Sequence, residues 1–404
     1  MTELKRSLGL WQCVFLGVGS ILGAGIYVLL GRVAGLAGNM SWVAFSLASV
    51  TALLTAFSYA ELSSMFPRAG GEFVYARQAL GAVLGLCVGL IVSTNGMITA
   101  ATVALGFAGY LEQLVSVPLL VGACGILALM FALNIVGIRA SSGVNVVLTI
   151  IEFGGLCVVI AAALPMLGSV NYLEPPEQGF NGIFLAAALA FFAYVGFEEI
   201  VKLAEETKNP ERTIPRALFI SGGVVTVVYI AIAILAVSAL PVEELAKSKA
   251  PMADIVTVEF GAAAAIGVAI AALFSTSNTV LSNMLGSSRV LLDMGREARP
   301  LRMLGYVLPN RKTPAVALVL VLCVCAAVAT IGDIGMVAEI ATFSIFLTFL
   351  CVNACLIVLR VRQPDTPRPY RIPGNVGPVP VATALAIVMT LILLGYNTYA
   401  ILSR

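Results

Sequence analysis

Long apolar runs, separated by short polar stretches, repeat along the whole chain. A membrane-spanning helix needs about 20 mostly apolar residues, and eleven segments of this sequence have that length. They cover residues 11–36, 41–66, 82–110, 117–137, 142–167, 181–203, 215–240, 259–286, 314–332, 337–360 and 378–402. The pattern predicts an all-α integral membrane protein with eleven transmembrane helices.

The first span is unusual because its centre is rich in glycine. Residues 19–31 read GSILGAGIYVLLG, with glycine at Gly19, Gly23, Gly25 and Gly31. Each glycine in a helix interior costs about 1 kcal/mol relative to alanine. One explanation is close packing against another helix, since Gly19 and Gly23 have the four-residue spacing of such contacts. The other is a break in the helix that lines a protein cavity.

The sixth span has a similar interruption. Its residues AFFAYVGFEEI place Gly196 before two adjacent carboxylates, Glu198 and Glu199. Interrupted spans at matching positions of two five-span halves are typical of LeuT-type inverted-repeat transporters, whose site lies between the breaks. This favours the break over simple packing. The prediction is one transporter domain, 1–404, with a first repeat at 11–167, a second at 181–360 and an extra helix at 378–402.

The two breaks together predict the chemistry of a ligand. A half-helix that starts near Gly25 would present free N–H groups and a positive dipole end, which suit a carboxylate. Carbonyls before that break, and those near Tyr194 and Val195, suit an ammonium group. A site with both features fits an α-amino acid.

Composition and charge support the membrane class and give an orientation. The chain is 60% hydrophobic and 11% charged, and its mean hydropathy is +1.02. All but four of its 23 lysines and arginines fall in loops on the side of the N-terminus. The positive-inside rule then predicts a multi-pass protein of the cell membrane, with the N-terminus inside and the C-terminus outside.

Other chemistry finds little support in the sequence. Histidine is absent, and the eight cysteines all lie in apolar runs without metal-ligand spacing. We expect no cofactor, no metal site and no nucleic-acid partner. An enzyme is disfavoured because no nucleophile–base pair or phosphate loop is visible, and a channel because no ring of charges is evident.

Glu152, near the middle of the fifth span, is the main candidate for ion coupling. An ionisable group inside a membrane is costly and therefore a functional candidate. Desolvation favours a proton carrier. Another possibility is a neutral glutamic acid held in a helix–helix hydrogen bond.

The remaining polar positions have local interpretations. Asn95 either faces a pocket for the substrate side chain or joins two helices. Glu61 and Arg68 form part of an inner gate or of an anchoring ion pair. A solvated loop explains most of the charges at 205–212, and the basic stretch 287–313 is expected to lie on the membrane surface.

Five stretches of the sequence resemble the amino acid–polyamine–organocation permeases. They occur in order along the chain, from the N-terminus to the eleventh span. They read GSILGAGIYVLLG, FSYAELSSMFPRAGGEFVYARQALG, AFFAYVGFEEIVKLAEETKNPERTIPRAL, ALFSTSNTVLSNMLGSSRVLLDMGREARP and TPRPYRIPG. The resemblance implies secondary transport of amino acids or related amines by alternating access. Most relatives have twelve spans, one more than predicted here.

The resemblance also implies roles for individual residues. The segment Ile21, Leu22, Gly23, Ala24 and Gly25 matches the unwound stretch that holds the substrate carboxylate and amine. The sixth-span break, where an aromatic side chain usually caps the substrate, is matched by Phe192, Tyr194, Val195 and Gly196. Glu198 matches a carboxylate implicated in gating or coupling, and the role of Glu199 is open. Several proton-coupled relatives have a lysine at the position of Glu152. In sodium-coupled relatives this position lies near the sodium site, so the resemblance implies, as a lesser alternative, Na⁺ bound by Glu152, Ser275 and Thr276.

Three functions follow as hypotheses. The favoured one is proton-coupled uptake of a neutral amino acid. An antiporter that exchanges amino acids and amines, such as cationic amino acids or polyamines, is the alternative. A membrane receptor that senses amino acids without net transport belongs to a different class, and the absence of a large soluble tail argues against it.

Overall fold

A computed structural model describes residues 4–248, 250–331 and 334–402, without the side chains of Ala24, Val28, 113–114 and 334–340. Over these residues the chain is almost entirely helical. The helices are α1 Leu10–Ala37, α2 Ser41–Met65, α3 Glu72–Leu80, α4 Ala82–Leu114, α5 Leu119–Val136, α6 Ile138–Ala163, α7 Gly179–Phe191, α8 Glu198–Val201, α9 Pro210–Ala239, α10 Val242–Lys247, α11 Pro251–Glu297, α12 Ala315–Ala329, α13 Ile334–Arg362 and α14 Val381–Leu402.

The all-α membrane architecture is confirmed. Ten helices of the described part are long and apolar enough to cross a membrane, and Ala315–Ala329 is a shorter apolar helix. The number eleven and the internal repeat therefore stay predictions. Large aliphatic side chains such as Val83, Val121 and Val227 are more than half exposed. An apolar surface of this kind suits contact with lipid.

Helix α1 forms the centre of the bundle. It packs against α6, α7, α9 and α11, while α11 also packs against α4 and α6, and α2 packs against α7 and α9. A short hairpin, β1 Asn375–Val376 and β2 Val379–Pro380, pairs antiparallel with Asn375 opposite Pro380 before α14 begins. The elements that contain the predicted breaks are thus the most enclosed ones.

Both predicted breaks are present in the backbone. Gly23 leaves the helical conformation inside α1 (φ −11°, ψ −160°). After α7, the chain makes one 3₁₀ turn, Phe192–Tyr194, then extends at Val195 and passes through Gly196 at φ +130° before α8. A φ of this value is accessible to glycine and rarely to other residues.

Helix α11 is longer than the predicted eighth span. Gly261 (φ +75°) separates a short first part from the main helix, which continues to Glu297 instead of ending near 286. The expectation that residues 287–313 lie on the membrane surface is therefore wrong for 287–297. Arg289 and Asp293 are fully buried there, because each of them pairs with an opposite charge.

These charges belong to a layer of ion pairs at one end of the bundle. Arg289 and Glu206, both fully buried, lie 2.9 Å apart. Arg68 lies 2.8 Å from Asp293, and Arg296 lies 2.9 Å from Glu205. A solvated loop is therefore the wrong interpretation for Glu206. The pairs fix the segments after α2 and α8 to the end of α11.

Glu61 anchors the segment between α13 and α14. The fully buried carboxylate accepts two hydrogen bonds from Arg360, at 2.8 and 2.5 Å, and one from the Ile372 backbone N–H at 2.9 Å. Arg368 is a second ion-pair partner at 3.2 Å. Glu61 and Arg68 thus both form ion pairs, although with different partners.

We expect Glu61→Ala to destabilise the protein strongly. It would leave the buried guanidinium groups of Arg360 and Arg368 without their carboxylate, a loss that typically costs about 3–5 kcal/mol. Thermal unfolding in detergent should show a clearly lower midpoint. Arg371→Ala, which removes an exposed charge from the same segment, is the control; equal midpoints for the two variants would contradict the anchoring role.

We expect Gly196→Ala to reduce the yield of folded protein. A Cβ atom there would need an unfavourable positive φ and would lie 2.7 Å from the Ser20 carbonyl carbon. Gly143→Ala is the control, because a Cβ atom at that helical position meets no atom within 4 Å. Size-exclusion chromatography after detergent extraction measures the yield, and a normal profile for Gly196→Ala would show that the break tolerates a side chain.

Candidate substrate and coupling sites

The two helix breaks lie in direct contact. A Cβ atom on Gly25 would approach the Ala193 Cα atom to 2.6 Å, and one on Gly196 would approach the Ile21 nitrogen to 3.0 Å. A Cβ atom on Gly23 would overlap the hydroxyl of Thr279 on α11. The glycines therefore allow α1 to touch both the sixth-span break and α11.

Tyr229 of α9 links the breaks through its hydroxyl group. The buried oxygen lies 2.7 Å from the Ile21 carbonyl oxygen and 3.1 Å from that of Ala193. Its ring packs edge-on against Tyr194, with centroids 5.1 Å apart. Sequence reasoning missed Tyr229, because an aromatic residue in an apolar span carries no sign of its partner.

The ligand-binding residues predicted on the two breaks lie at this junction. Ile21, Leu22 and Tyr194 are buried, whereas Phe192 and Val195 are half-buried. The Ala24 side chain lies outside the described part of the chain. Phe191, which was not predicted, is fully buried and stacks on Phe346 of α13 at 4.5 Å.

Glu152 and Ser275 meet between α6 and α11. The Ser275 hydroxyl donates to Glu152 Oε1 at 2.5 Å, while the buried Oε2 atom has no hydrogen-bond partner among the described residues. Thr276 does not join them, because its hydroxyl donates to the Ala272 carbonyl of its own helix at 2.9 Å. The contact thus joins two of the three residues that were predicted as alternative sodium ligands.

A ladder of polar side chains continues from this pair. Asn145 donates to Asn278 at 2.5 Å, and Asn278 donates to the Thr149 hydroxyl at 3.0 Å. Thr149 also lies 3.2 Å from the Phe15 carbonyl of α1. Gly19 faces this ladder, since a Cβ atom there would overlap both Asn278 and Thr149.

A buried charge cluster, composed of Glu72, Glu198, Glu199 and Lys202, lies beside the sixth-span break. Glu198 accepts a hydrogen bond from the Gly196 N–H at 2.8 Å, and Lys202 donates to Glu199 at 2.5 Å. Glu72 accepts from the Tyr59 hydroxyl at 3.1 Å. All four side chains are at most 7% exposed.

Two members of the cluster were not predicted. Neither Lys202 nor Glu72 was given a role from the sequence. The three-residue spacing of Glu199 and Lys202 was an available signal, because such residues are neighbours on a helix. Glu72 lies on α3, outside the apolar spans, and burial raises the pKa of its carboxyl group although Lys202 opposes the shift.

A small cavity adjoins the charge cluster and Asn95. It is lined by Glu72, Val92, Asn95, Gly96, Glu198, Glu199, Lys202, Asn283, Ile345, Thr348 and Phe349. Its volume is about 10 Å³, which is enough for about one water molecule. The Asn95 Oδ1 atom has no hydrogen-bond partner among the described residues, so this carbonyl is available to a small donor.

The two breaks place irregular backbone next to buried ionisable side chains. Backbone groups at the two breaks are not committed to continuous helices. Glu198 contacts the Gly196 N–H, and the Glu152 backbone carbonyl lies 3.4 Å from the Tyr27 hydroxyl of α1. The Glu152 carboxyl can hold a proton, whereas the charge cluster already contains its own cation.

Comparison with known proteins places this chain in a family. Residues 8–401 match the family model described as amino acid permease. The branched-chain amino acid permease BcaP of Bacillus subtilis is 30% identical, over 97% of this chain and 88% of its own. A methylthioribose transporter of the same organism is 27% identical, over 95% and 87%.

A plant protein shows a similar degree of likeness. Cationic amino acid transporter 1 of Arabidopsis thaliana is 29% identical, over 89% of this chain and 63% of its own. The names of these relatives specify different substrates, but each name describes a permease or a transporter. The match of the family model over nearly the whole chain shows that the protein belongs to the amino acid permease family, a group of transporters and not of enzymes.

Proposed function

We propose that this permease is a secondary active transporter that couples the uptake of a neutral amino acid to protons by alternating access. The observation that carries the proposal is the position of Glu152 beside the broken helix α1. Its carboxyl group is fully buried, and one of its oxygens has no hydrogen-bond partner in the described part of the chain. A buried carboxyl group of this kind is a proton site if solvent reaches it in another conformation. In this proposal the protein lies in the cell membrane with its N-terminus inside and its C-terminus outside.

The two breaks would bind the common part of all amino acids. N–H groups after Gly23 would bind the substrate carboxylate, and carbonyls before Gly23 and at Tyr194 and Val195 would bind its amine. Tyr229 supports this role, because its hydroxyl holds the carbonyl of Ile21 in place. The rings of Phe192 and Tyr194 would cover the bound molecule.

A neutral substrate fits the charge cluster better than a cationic one. Lys202 already supplies a cation to its carboxylates, and the cavity beside them has room for about one water molecule. Since a relative is named a branched-chain amino acid permease, leucine, isoleucine and valine are the first substrates to test.

Protons fit the coupling site better than Na⁺. Sodium would need several oxygen ligands around one point, as hard cations do. Thr276, one of the three predicted ligands, donates its hydroxyl to its own helix. The short contact between Ser275 and Glu152 Oε1 is compatible with a carboxyl group that carries its proton on the other oxygen.

Uptake into proteoliposomes tests the function. We expect liposomes with an empty lumen to accumulate radiolabelled leucine, isoleucine or valine above the outside concentration when the outside is acidic. A protonophore should abolish the accumulation, and replacement of Na⁺ by choline should not. A strict need for internal substrate would indicate an exchanger, and saturable binding without uptake would indicate a receptor; either result overturns the proposal.

We expect Glu152→Gln to bind substrate but to lose the effect of the pH gradient. The amide keeps the size of the side chain and can still accept from Ser275, but it cannot titrate. Uptake should then stop at the outside concentration, while binding changes by less than about tenfold, the equivalent of 1.4 kcal/mol. Glu112→Gln, an exposed carboxylate on α4, is the control. Accumulation by Glu152→Gln with unchanged pH dependence would exclude Glu152 as the proton carrier.

A further inference from the structure

Lys202 is an unusual residue in this bundle because its charged end is buried among carboxylates. The residue is 2% exposed, and its Nζ atom lies 2.5 Å from Glu199 Oε1. Glu72 and Glu198 line the same cavity. Gly286 of α11 makes room for this pair, since a Cβ atom there would lie 3.0 Å from Lys202 Cδ and would overlap Glu199 Oε2.

The charge cluster has more acceptors than Lys202 satisfies. One Glu72 oxygen and one Glu199 oxygen, both on side chains at least nine-tenths buried, have no hydrogen-bond partner among the described residues. Ser287, also buried, lies next to Gly96 of the cavity wall, and its hydroxyl has no partner within the described ranges either. Buried acceptors of this kind suit an ammonium group, which offers several donors.

The cluster lies within reach of a substrate held at the helix breaks. Gly23 contacts Thr279, and Asn283, one turn further along α11, donates to the Thr279 carbonyl at 3.0 Å and lines the cavity. Four residues of α-helix span about 6 Å. That is roughly the length of an extended lysine side chain, so an amine on a bound amino acid would reach this place.

We propose that Lys202 is a specificity-determining residue: its tethered ammonium group occupies the site that the amine of a cationic substrate would otherwise fill. The permease thereby rejects cationic amino acids in favour of neutral ones. Charge repulsion from Lys202 acts against a second ammonium group, and so does a cavity with room for only about one water molecule. This inference rests on the proposed transport of a neutral amino acid.

Lys202→Ala tests the inference by chemical rescue. The variant opens a space beside Glu72, Glu198 and Glu199, and we expect n-propylammonium chloride to raise its melting temperature in a saturable way. Tetramethylammonium chloride, which cannot donate hydrogen bonds, should not. Wild type and Lys208→Ala, which removes an exposed lysine nearby, should show no difference between the two salts.

The substrate preference of the same variant should change. We expect lysine to bind Lys202→Ala at least about tenfold more tightly than it binds wild type, as expected for hydrogen bonds between charged groups. Leucine binding to the wild type is measured in parallel. Absence of leucine binding would count against the proposed function and not against the role of Lys202. Equal weak binding of lysine to both proteins, with no rescue by propylammonium, would overturn the inference.

A second variant covers the case in which Lys202→Ala does not fold. Lys202→Ala combined with Glu199→Gln removes one positive and one negative charge, so fewer charges are left unpaired. We expect this double variant to fold and to respond to propylammonium through Glu72 and Glu198. A folded double variant that shows neither amine stabilisation nor lysine binding would also overturn the inference.

Discussion

A backbone group that leaves a helix inside a lipid bilayer needs a partner within the protein, because lipid provides none. In this permease the two broken helices meet that need by contact with each other and with polar side chains. Tyr229 binds the carbonyl groups of Ile21 and Ala193, and Glu198 accepts from the Gly196 N–H. Glycine is required where the breaks touch, since a Cβ atom on Gly25 would approach Ala193 Cα to 2.6 Å.

The same constraint explains how much of the fold could be predicted from the sequence. The breaks at Gly23 and Gly196 were predictable because glycine destabilises a helix interior and allows backbone conformations that other residues rarely adopt. The length of α11 was not predictable in this way. Charged residues such as Arg289 suggested the end of a span, but their partners, including Glu206, come from distant parts of the chain.

The site was predictable to a lesser extent for a related reason. Glu152 was predicted because an ionisable group inside a span is costly, and Ser275 was named beside it only through the resemblance to known permeases. Lys202 and Glu72 were missed, because burial of a charge depends on neighbours that are far apart in sequence. Tyr229 gave no sign at all, since only the third dimension brings its hydroxyl group to both breaks.

Helix α11 connects the two buried clusters of ionisable groups. Ser275 contacts Glu152, Thr279 contacts Gly23, and Gly286 packs against Lys202 and Glu199. These positions lie on one helix within about 17 Å at 1.5 Å per residue, so a shift of α11 relative to α1 would disturb both clusters together. Because an unpaired buried charge is costly, a change of protonation at Glu152 and a change of occupancy near Lys202 would each favour one position of this helix. A rigid helix between two such groups is a direct physical route by which a proton and a substrate could influence each other.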